Sequence, residues 1–317
     1  MRILELIPPI KDYIWGGTKL RECFGKESKL EKLAESWELS CHKDGASVIA
    51  NGEYKGRTLN EFLSENPDAC GTACSKFEYF PILIKLIDAR DNLSVQVHPD
   101  NDYAQRVEGE YGKTEMWYIV DCEKDAELIY GFKSEISKQE FKDAIENNTL
   151  LEKVSRVPVK KGDVFFINSG TLHAIGKGIL IAEIQQNSNT TYRVYDYGRV
   201  GADGKPRELH IQKALDVTEL KPAENYSVSE AIETADKRSQ LLAECEYFKV
   251  VKEDINGSSE LYANEKSFNH ILLIDGEAVL KCGDEKLNLK KGSSVFVAAN
   301  TGKYIIKGNC SIIITEI

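Results

Sequence analysis

The stretch that decides the fold is Leu93-Ser-Val-Gln-Val-His-Pro-Asp100. Its side chains alternate in the period of a β-strand, so Gln96 and His98 point to one face while Val95 and Val97 point to the other. One face can therefore be polar while the opposite face packs into a core. We predict a strand that directs two polar, ligand-type side chains toward the same space.

Two further stretches supply side chains of matching chemistry. Gly112-Lys-Thr-Glu-Met-Trp-Tyr-Ile-Val120 is typical of a second strand and carries Glu115 in its first half. Lys161-Gly-Asp-Val-Phe-Phe-Ile-Asn-Ser-Gly-Thr-Leu-His173 is an apolar strand whose glycine-bearing turn delivers His173. The combined oxygen and nitrogen set suits Zn²⁺ or another borderline divalent cation, with room left for water or substrate. Its members are Gln96, His98, Glu115 and His173. The alternative is four unrelated polar residues.

Length and composition narrow the class of protein. With 317 residues the chain can bury a substantial core, and its length suggests two domains, with one large domain as the alternative. A net charge of -10, without a dense cluster of Lys and Arg, excludes a nucleic-acid track. Every apolar run is far shorter than the roughly 20 residues that cross a bilayer, and the first residues lack a signal-peptide pattern. We therefore expect a cytoplasmic protein with no membrane or nucleic-acid partner.

The eight cysteines are interpreted as reduced thiols, because no export signal accompanies them. Cys70 and Cys74 form the one close pair, and their spacing would place both on one face of a helix. No second pair follows to complete a tetrahedral thiolate site, so we interpret the two as structural thiols.

Short strands and a few helices alternate along the rest of the chain. Thr58-Leu-Asn-Glu61 and Ser137-Lys-Gln-Glu140 have the spacing of capping boxes, and each predicts that a helix begins there. We also expect a short helix near residues 209–217 and a connector with some helix over residues 221–237. Strands are predicted at residues 35–40, 80–89, 127–131, 178–185 and 192–198. This pattern is typical of an all-β sandwich or barrel with helical insertions.

The final part of the chain carries a faint copy of the pattern around His173. Residues 290–303 align without a gap on residues 160–173, and the apolar run 165–167 recurs at residues 295–297. Lys303 falls where His173 stands, so the copy lacks this ligand.

The pattern around Glu115 recurs in the same way. Residues 269–275 align on residues 115–121, with Asn269 where Glu115 stands. We therefore predict a second domain that keeps the packing of the first without its ligands, since function depends on side chains added to a fold. Chance resemblance between β-strands is the alternative.

Four successive motifs resemble the signatures of one enzyme family. They are Gln96-Val-His-Pro-Asp100, Gly112-Lys-Thr-Glu115, Gly170-Thr-Leu-His-Ala174 and Gln186-Asn-Ser-Asn-Thr-Thr-Tyr-Arg193. The series resembles type I mannose-6-phosphate isomerases of the short bacterial form. Trp15-Gly-Gly17 and Glu35-Ser-Trp-Glu38 resemble the N-terminal segment of that family, and the turn before His173 resembles the second metal motif of cupin barrels.

The resemblance implies a mainly β fold of two cupin domains, each a jelly roll or double-stranded β-helix, with a few helical insertions. Residues 1–235 would form the catalytic metal-binding domain with its N-terminal segment, and residues 236–317 a degenerate cupin-like domain. The implied activity interconverts mannose 6-phosphate and fructose 6-phosphate, so the partner would be a small-molecule sugar phosphate. The implied cofactor is a single Zn²⁺ per chain. Its ligands would be His98, Glu115 and His173, with Gln96 as a fourth in some family members.

Aldose-ketose exchange explains why the family needs these residue types. A proton moves between C1 and C2 through an enediol, and zinc can polarise the sugar oxygens while Arg193, the implied active-site arginine, stabilises the enediolate. The group that transfers the proton stays open among Lys113, Glu183, Asp196 and a zinc-bound water. Lys113 is retained as a candidate for catalysis or phosphate binding, with a solvated charge at a strand end as the alternative.

Two other functions remain as hypotheses. One is a non-catalytic sugar-binding cupin, although the sequence lacks a DNA-binding helix-turn-helix to transmit a signal. The other is a cupin oxygenase that holds iron at the same ligands. Neither accounts for the stretch from Asn187 to Arg193 as well as the isomerase does. We expect a monomer or a weak homo-oligomer.

Overall fold

The computed structural model describes residues 2–201 and 204–317. Strands dominate these residues, which confirms the mainly β fold class. The strands before residue 200 are β1 (Ile3–Ile7), β2 (Ile10–Lys11), β3 (Glu35–Leu39), β4 (Cys41–His42), β5 (Gly45–Ala46), β6 (Val48–Ile49), β7 (Ile82–Ala89), β8 (Val95–Val97), β9 (Glu115–Cys122), β10 (Glu127–Phe132), β11 (Val154–Pro158), β12 (Val164–Ile167), β13 (His173–Ala174), β14 (Ile179–Gln186) and β15 (Tyr192–Tyr195). The strands that follow are β16 (Ile232–Glu233), β17 (Lys237–Glu244), β18 (Lys249–Ala263), β19 (Asn269–Cys282), β20 (Glu285–Lys290), β21 (Ser294–Val297) and β22 (Gly302–Glu316).

The helices are short insertions between strands. They are α1 (Lys19–Phe24), α2 (Leu59–Glu65), α3 (Asn101–Val107), α4 (Lys138–Glu146), α5 (Leu150–Lys153) and α6 (Ile211–Val217), with 3₁₀ turns at Pro67–Cys70 and Thr72–Lys76. Both predicted capping boxes are confirmed, because Thr58 caps α2 and Ser137 caps α4 with reciprocal hydrogen bonds. α6 confirms the helix predicted near residues 209–217. Within the described residues, no helix has the length and apolar character needed to cross a membrane.

Three larger sheets build the molecule. A six-stranded sheet has the order β12-β9-β14-β7-β3-β2, and a five-stranded sheet has the order β11-β10-β13-β8-β15. These two sheets form the N-terminal barrel. The nine-stranded C-terminal sheet has the order β16-β17-β18-β22-β19-β21-β1-β6, with β20 paired to β19. β1 therefore leaves the start of the chain and pairs with β21 in the C-terminal sheet.

Alternate side chains along β9 and β19 belong to different hydrophobic cores. On β9, Trp117 faces the core of the N-terminal barrel, whereas Met116 lies in a second core. On β19, Ile271 faces the core of the C-terminal barrel, whereas Leu272 lies in the same second core as Met116. This second core, which we call the shared core, joins the two barrels back to back. A further cluster packs α4 and α6 against the five-stranded sheet.

Strand register confirms the internal repeat. β12 pairs with β9 so that Ile167 lies opposite Glu115, and β21 pairs with β19 so that Val297 lies opposite Asn269. These two pairs occupy corresponding positions of the sequence alignment. The two copies therefore share their strand pairing as well as their apolar residues.

The positions that replace the ligands have other partners in the C-terminal barrel. Asn269 accepts a hydrogen bond from the Tyr304 hydroxyl at 2.9 Å. Lys303 lies on the surface, where its ammonium group is 2.5 Å from a Glu260 carboxylate oxygen. The C-terminal copy thus keeps the framework without the set of metal-ligand side chains.

The strand predicted over residues 93–100 is shorter than expected. Only Val95–Val97 pair as a strand, because the Asp100 side chain accepts a hydrogen bond from the Tyr103 backbone at 2.8 Å and caps α3. The sequence pattern did not predict α3. His98 therefore lies in the short connection between a strand and a helix.

Two other local predictions are wrong. Cys70 and Cys74 do not share a helix, because Gly71 separates two 3₁₀ turns, and the Cys74 thiol donates instead to the Cys70 carbonyl at 3.4 Å. Residues 221–237, all of which the structure describes, contain the short strand β16 and no helix.

A substitution in the shared core should test the joint between the barrels. Phe296 is fully buried and stacks on Phe268, with 4.9 Å between ring centroids. Phe296→Ala should lower the free energy of unfolding by about 3 to 5 kcal/mol, because it leaves a cavity. Urea denaturation measures this loss. Tyr262→Ala is the control, since Tyr262 is 65% exposed and should change the free energy by less than about 0.5 kcal/mol. Equal losses in the two variants would contradict the shared core.

Candidate metal centre and active site

Three side chains that could hold a metal ion converge inside the N-terminal barrel. His98 follows β8, Glu115 begins β9 and His173 begins β13, and their ligand atoms all lie within 4.8 Å of one another. His173 Nε2 is 3.4 Å from Glu115 Oε1, and His98 Nε2 is 3.7 Å from Glu115 Oε2. All three side chains are buried. The structure thus brings together side chains that lie far apart in sequence.

A tight turn places His173 beside the strand that leads to His98. Gly170 in this turn has a φ of 85°, a left-handed conformation that glycine adopts at little cost. Its N–H donates to the His98 carbonyl at 2.8 Å. After the turn, β13 pairs with β8 so that His173 lies opposite Gln96. The predicted glycine-bearing turn therefore has a direct geometric role at the site.

Both imidazoles are oriented by backbone carbonyls. His98 Nδ1 lies 2.9 Å from the Thr190 carbonyl, and His173 Nδ1 lies 2.9 Å from the Thr171 carbonyl. Because a carbonyl can only accept, each Nδ1 carries the hydrogen and each Nε2 keeps its lone pair. Burial lowers the pKa of His98 well below its ordinary value and lowers the pKa of His173 to about 4. Two neutral imidazoles held in this way are typical of metal ligands.

Glu115 completes the set with a negative charge that the protein only partly compensates. The Lys113 ammonium is 2.8 Å from Glu115 Oε2 and 3.1 Å from His98 Nε2. Among the described residues, neither Glu115 oxygen has a hydrogen-bond partner of good geometry. Burial, followed by the charge of the nearby Glu183, raises the pKa of Glu115 to about 7 against the opposing effect of Lys113. These carboxylate oxygens, beside two imidazole lone pairs, fit a divalent cation.

Gln96 and Arg193 lie at the edge of this cluster. The Gln96 amide nitrogen is 3.4 Å from His173 Nε2, and Gln96 lies opposite Arg193 in the pairing of β8 with β15. The Arg193 guanidinium donates to Ser94 Oγ at 3.2 Å and to the Glu208 carbonyl at 3.0 Å. Burial, and then the positive charge of Arg207, lower the pKa of Arg193.

A cavity of about 210 Å³ opens beside the cluster. Its walls include Gln96, Lys113, Glu183, Arg193 and Arg207. A larger cavity, of about 970 Å³, lies near Cys70 and Asn300, away from the cluster. The only group of three metal-ligand side chains found among the described residues adjoins the smaller cavity, so we assign the site there.

A second layer of buried charge supports the cavity. The Lys85 ammonium is 3.1 Å from Glu183 and 3.8 Å from Glu35, while the Trp117 indole donates to Glu183 at 3.0 Å. Burial acts to raise the pKa of Glu183, but Lys113, Lys85 and these hydrogen bonds outweigh it and lower the pKa to about 2. Glu183 is therefore ionised inside the barrel. The sequence motifs do not place Lys85 or Glu35 at the site, although a lysine inside the apolar run at residues 80–89 is a signal of a buried charge.

Asp196 lies in a different setting from the other candidates for proton transfer. Its carboxylate is bound by Arg199 and by Arg207, whose Nε donates to Oδ2 at 2.7 Å. These hydrogen bonds and charges outweigh burial and lower the pKa of Asp196. Asp196 thus holds Arg207 at the cavity wall. No sequence motif points to Arg207, because it follows a turn that has no motif of its own.

Comparison with known proteins identifies the family. A model of the phosphomannose isomerase type I catalytic domain matches residues 3–134, and a model of the mannose-6-phosphate isomerase cupin domain matches residues 238–317. The putative mannose-6-phosphate isomerase YvyI of Bacillus subtilis is 41% identical over 98% of this chain and 98% of its own length. The chain belongs to the mannose-6-phosphate isomerase family. This confirms the resemblance that the four motifs carry.

Other members of the mannose-6-phosphate isomerase family agree. The mannose-6-phosphate isomerase of Streptococcus mutans is 39% identical over 95% of this chain and 93% of its own length. A crystal structure of the mannose 6-phosphate isomerase from Bacillus subtilis matches with a TM-score of 0.94 and 40% identity, and the match covers 100% of both chains. These similarities confirm the cupin fold predicted from the sequence.

The pKa of Glu115 predicts how metal binding depends on pH. Glu115 must lose its proton to bind a cation, so affinity for Zn²⁺ should be constant above about pH 7 and fall about tenfold per unit below it. The imidazoles are already neutral in this range and should add no slope. Competition with a chromophoric chelator measures the affinity. Glu115→Gln should bind weakly with no such slope, and a flat profile in the unchanged protein would contradict the assignment.

Proposed function

We propose that this protein interconverts mannose 6-phosphate and fructose 6-phosphate by a zinc-assisted transfer of a proton between C1 and C2. One observation carries the proposal above the others. Two oriented imidazoles and a buried carboxylate lie beside a cavity whose walls carry Lys113, Arg193 and Arg207. The cations suit the phosphate group and the enediolate of such a substrate, because both are anionic. They also favour an isomerase over an oxygenase or a neutral-sugar binder.

We assign one Zn²⁺ per chain to His98, Glu115 and His173, with Gln96 as a fourth ligand. Imidazole nitrogen and carboxylate oxygen are common zinc ligands. His98, Glu115 and His173 alone would leave a fourth position open, and with Gln96 bound the substrate would take a fifth. Gln96 is the weakest member, because its amide oxygen must turn toward the metal in place of the nitrogen that now lies near His173. When bound, zinc supplies Lewis acidity that polarises the sugar oxygens.

Arg193 and Lys113 are the side chains that we place in the catalytic role. Arg193 stays positively charged through the reaction and would stabilise the negative charge that develops on the substrate oxygen. Lys113 faces both the cavity and the carboxylate of Glu115, so it can hold or move a proton close to the reacting carbons. Glu183 is the second candidate for this proton, since it is ionised and lines the same cavity. Asp196 is the least suited, because two arginines bind it.

The domains, the location and the partners of the protein complete the proposal. We propose a catalytic domain within residues 1–235 and a degenerate cupin-like domain of residues 236–317, and the family match over residues 238–317 supports this division. The strands β1, β6 and β16 cross it, because they come from the first part of the chain and extend the C-terminal sheet. The cysteines of the described residues are free thiols, which supports a cytoplasmic location. We propose a monomer or weak homo-oligomer with no nucleic-acid partner, in keeping with a net charge of -10.

Metal removal tests the activity directly. The protein as isolated should convert mannose 6-phosphate to fructose 6-phosphate. This activity should be lost after exhaustive chelation and regained when Zn²⁺ is added in stoichiometric amount. A coupled assay for fructose 6-phosphate measures turnover, and unphosphorylated mannose is the control substrate. Undiminished turnover in thoroughly metal-free protein would rule out the mechanism.

The role of Arg193 predicts a loss of rate without a loss of metal. Arg193→Ala should cost about 3 to 4 kcal/mol of transition-state stabilisation, a roughly 10² to 10³-fold fall in kcat. Its zinc content should stay near that of the unchanged protein, because Arg193 is not in the ligand cluster. Arg156→Ala is the matched control, since Arg156 pairs with Glu127 at the surface. Unchanged turnover in Arg193→Ala would refute the assignment.

A further inference from the structure

Gln185 is a buried amide that no step of the isomerisation uses. It is 0% exposed and lies on β14, opposite Glu115 in the pairing with β9. Directly paired residues of antiparallel strands project to the same face of a sheet. Gln185 therefore stands inside the N-terminal barrel, on the same side of the sheet as the proposed ligand Glu115.

The amide of Gln185 closes the turn between β14 and β15. Its Nε2 donates to the Gln186 carbonyl at 2.7 Å and to the Ser188 carbonyl at 2.6 Å. Because both carbonyls can only accept, they fix which end of the amide faces the turn. Oε1 has no partner among the described residues. The side chain of Gln185 therefore makes its hydrogen bonds through the two N–H groups, and both groups donate to the turn.

A short series of contacts connects this turn to His98. The Ser188 hydroxyl accepts a hydrogen bond from the Thr190 backbone N–H at 3.3 Å. The Thr190 carbonyl in turn lies 2.9 Å from His98 Nδ1. The carbonyl that sets the tautomer of His98 therefore belongs to a segment held by Gln185 and Ser188.

The two histidines differ in how far away their carbonyl partners lie. His173 bonds to Thr171, two residues earlier in its own turn, whereas the partner of His98 lies 92 positions away in the sequence. A local partner is fixed by the turn itself. A distant partner keeps its place only if its own segment is anchored. Gln185 anchors this segment from inside the barrel, while Asn187 bonds to Phe80 and Thr190 bonds to Glu110 from outside it.

We propose that Gln185 is a positioning residue that orients His98 for metal binding by holding the turn at residues 186–190. The proposal rests on the metal centre of the proposed function, since it concerns the affinity of that centre. Side chains that orient a metal ligand commonly contribute a factor of about 10 to 100 in metal affinity. Gln185 would act through the turn and His98, and it would touch neither the metal nor the substrate.

Gln185→Met tests the proposal, because methionine keeps a similar length and removes both N–H donors. The dissociation constant for Zn²⁺, measured on the full chain by chelator competition, should rise about 10 to 100-fold. With Co²⁺ in place of Zn²⁺, the visible absorption spectrum should also change, since it reports the geometry of the ligands. A purely structural role would lower the melting temperature of the metal-free protein and leave that spectrum unaltered.

The matched control is Gln240→Met. The Gln240 amide also donates to a backbone carbonyl, that of Ser229 at 2.9 Å, but it lies in the C-terminal sheet. Loss of the Gln240 amide should leave the zinc affinity and the Co²⁺ spectrum the same as those of the unchanged protein. Ser188→Ala is a second test, because it removes only the hydroxyl that accepts from Thr190, and it should also weaken zinc binding. If Gln185→Met does not fold, an unchanged zinc affinity in Ser188→Ala overturns the proposal, because the path from Gln185 to Thr190 runs through this hydroxyl.

The outcomes separate this proposal from the proposed function. Zinc affinity within about twofold of the unchanged protein, with an unaltered Co²⁺ spectrum, would overturn the role of Gln185. An unchanged protein that binds neither ion would overturn both proposals. Metal binding without isomerase activity would overturn the proposed function alone, and the affinities of the variants would still decide the role of Gln185.

Discussion

The pleat of β9 is the constraint on which the rest of the structure depends. Successive side chains of a strand face opposite sides, and both sides of β9 are buried. Met116 lies in the shared core that joins the two barrels, while Glu115 and Trp117 face the interior of the N-terminal barrel. A shift of one residue in register would exchange these faces and place the carboxylate in the shared core. The joint between the barrels and the metal centre therefore depend on the same register.

Buried charge is the second feature that shapes the molecule. Glu115, Glu183 and Glu35 face Lys113 and Lys85 inside one barrel, and each ion would be costly to bury alone. The ion pairs and the Trp117 hydrogen bond offset much of that cost. Around the ligand cluster, three carboxylates face two ammonium groups, and this local excess of negative charge favours a cation there. Arg193 and Arg207 add positive charge at the cavity wall. Lys113 and Lys85 keep Glu183 ionised, whereas burial and the charge of Glu183 raise the pKa of Glu115.

The C-terminal barrel shows that this framework does not need a site. Its strands repeat the register of the N-terminal barrel, yet Asn269 bonds to Tyr304 where the first copy has a carboxylate beside imidazoles. Tyr304 is a large side chain that is almost completely buried, and it occupies the interior with its ring. Packing and function are thus separable in this fold, because the apolar positions fix the barrel and a few inward side chains fix its chemistry.

The sequence by itself determined the longer strands of the N-terminal barrel, the two capped helices, the repeat and the His98, Glu115 and His173 set. Those features rest on side-chain alternation, capping chemistry and ligand type, which are local properties. Only the tertiary structure decided that Lys85 supports the cavity and that Arg207 forms part of its wall. It also showed that β8 ends early because α3 begins at Asn101. It also decided that the Thr190 carbonyl orients His98, since that contact depends on how segments far apart in sequence pair and pack.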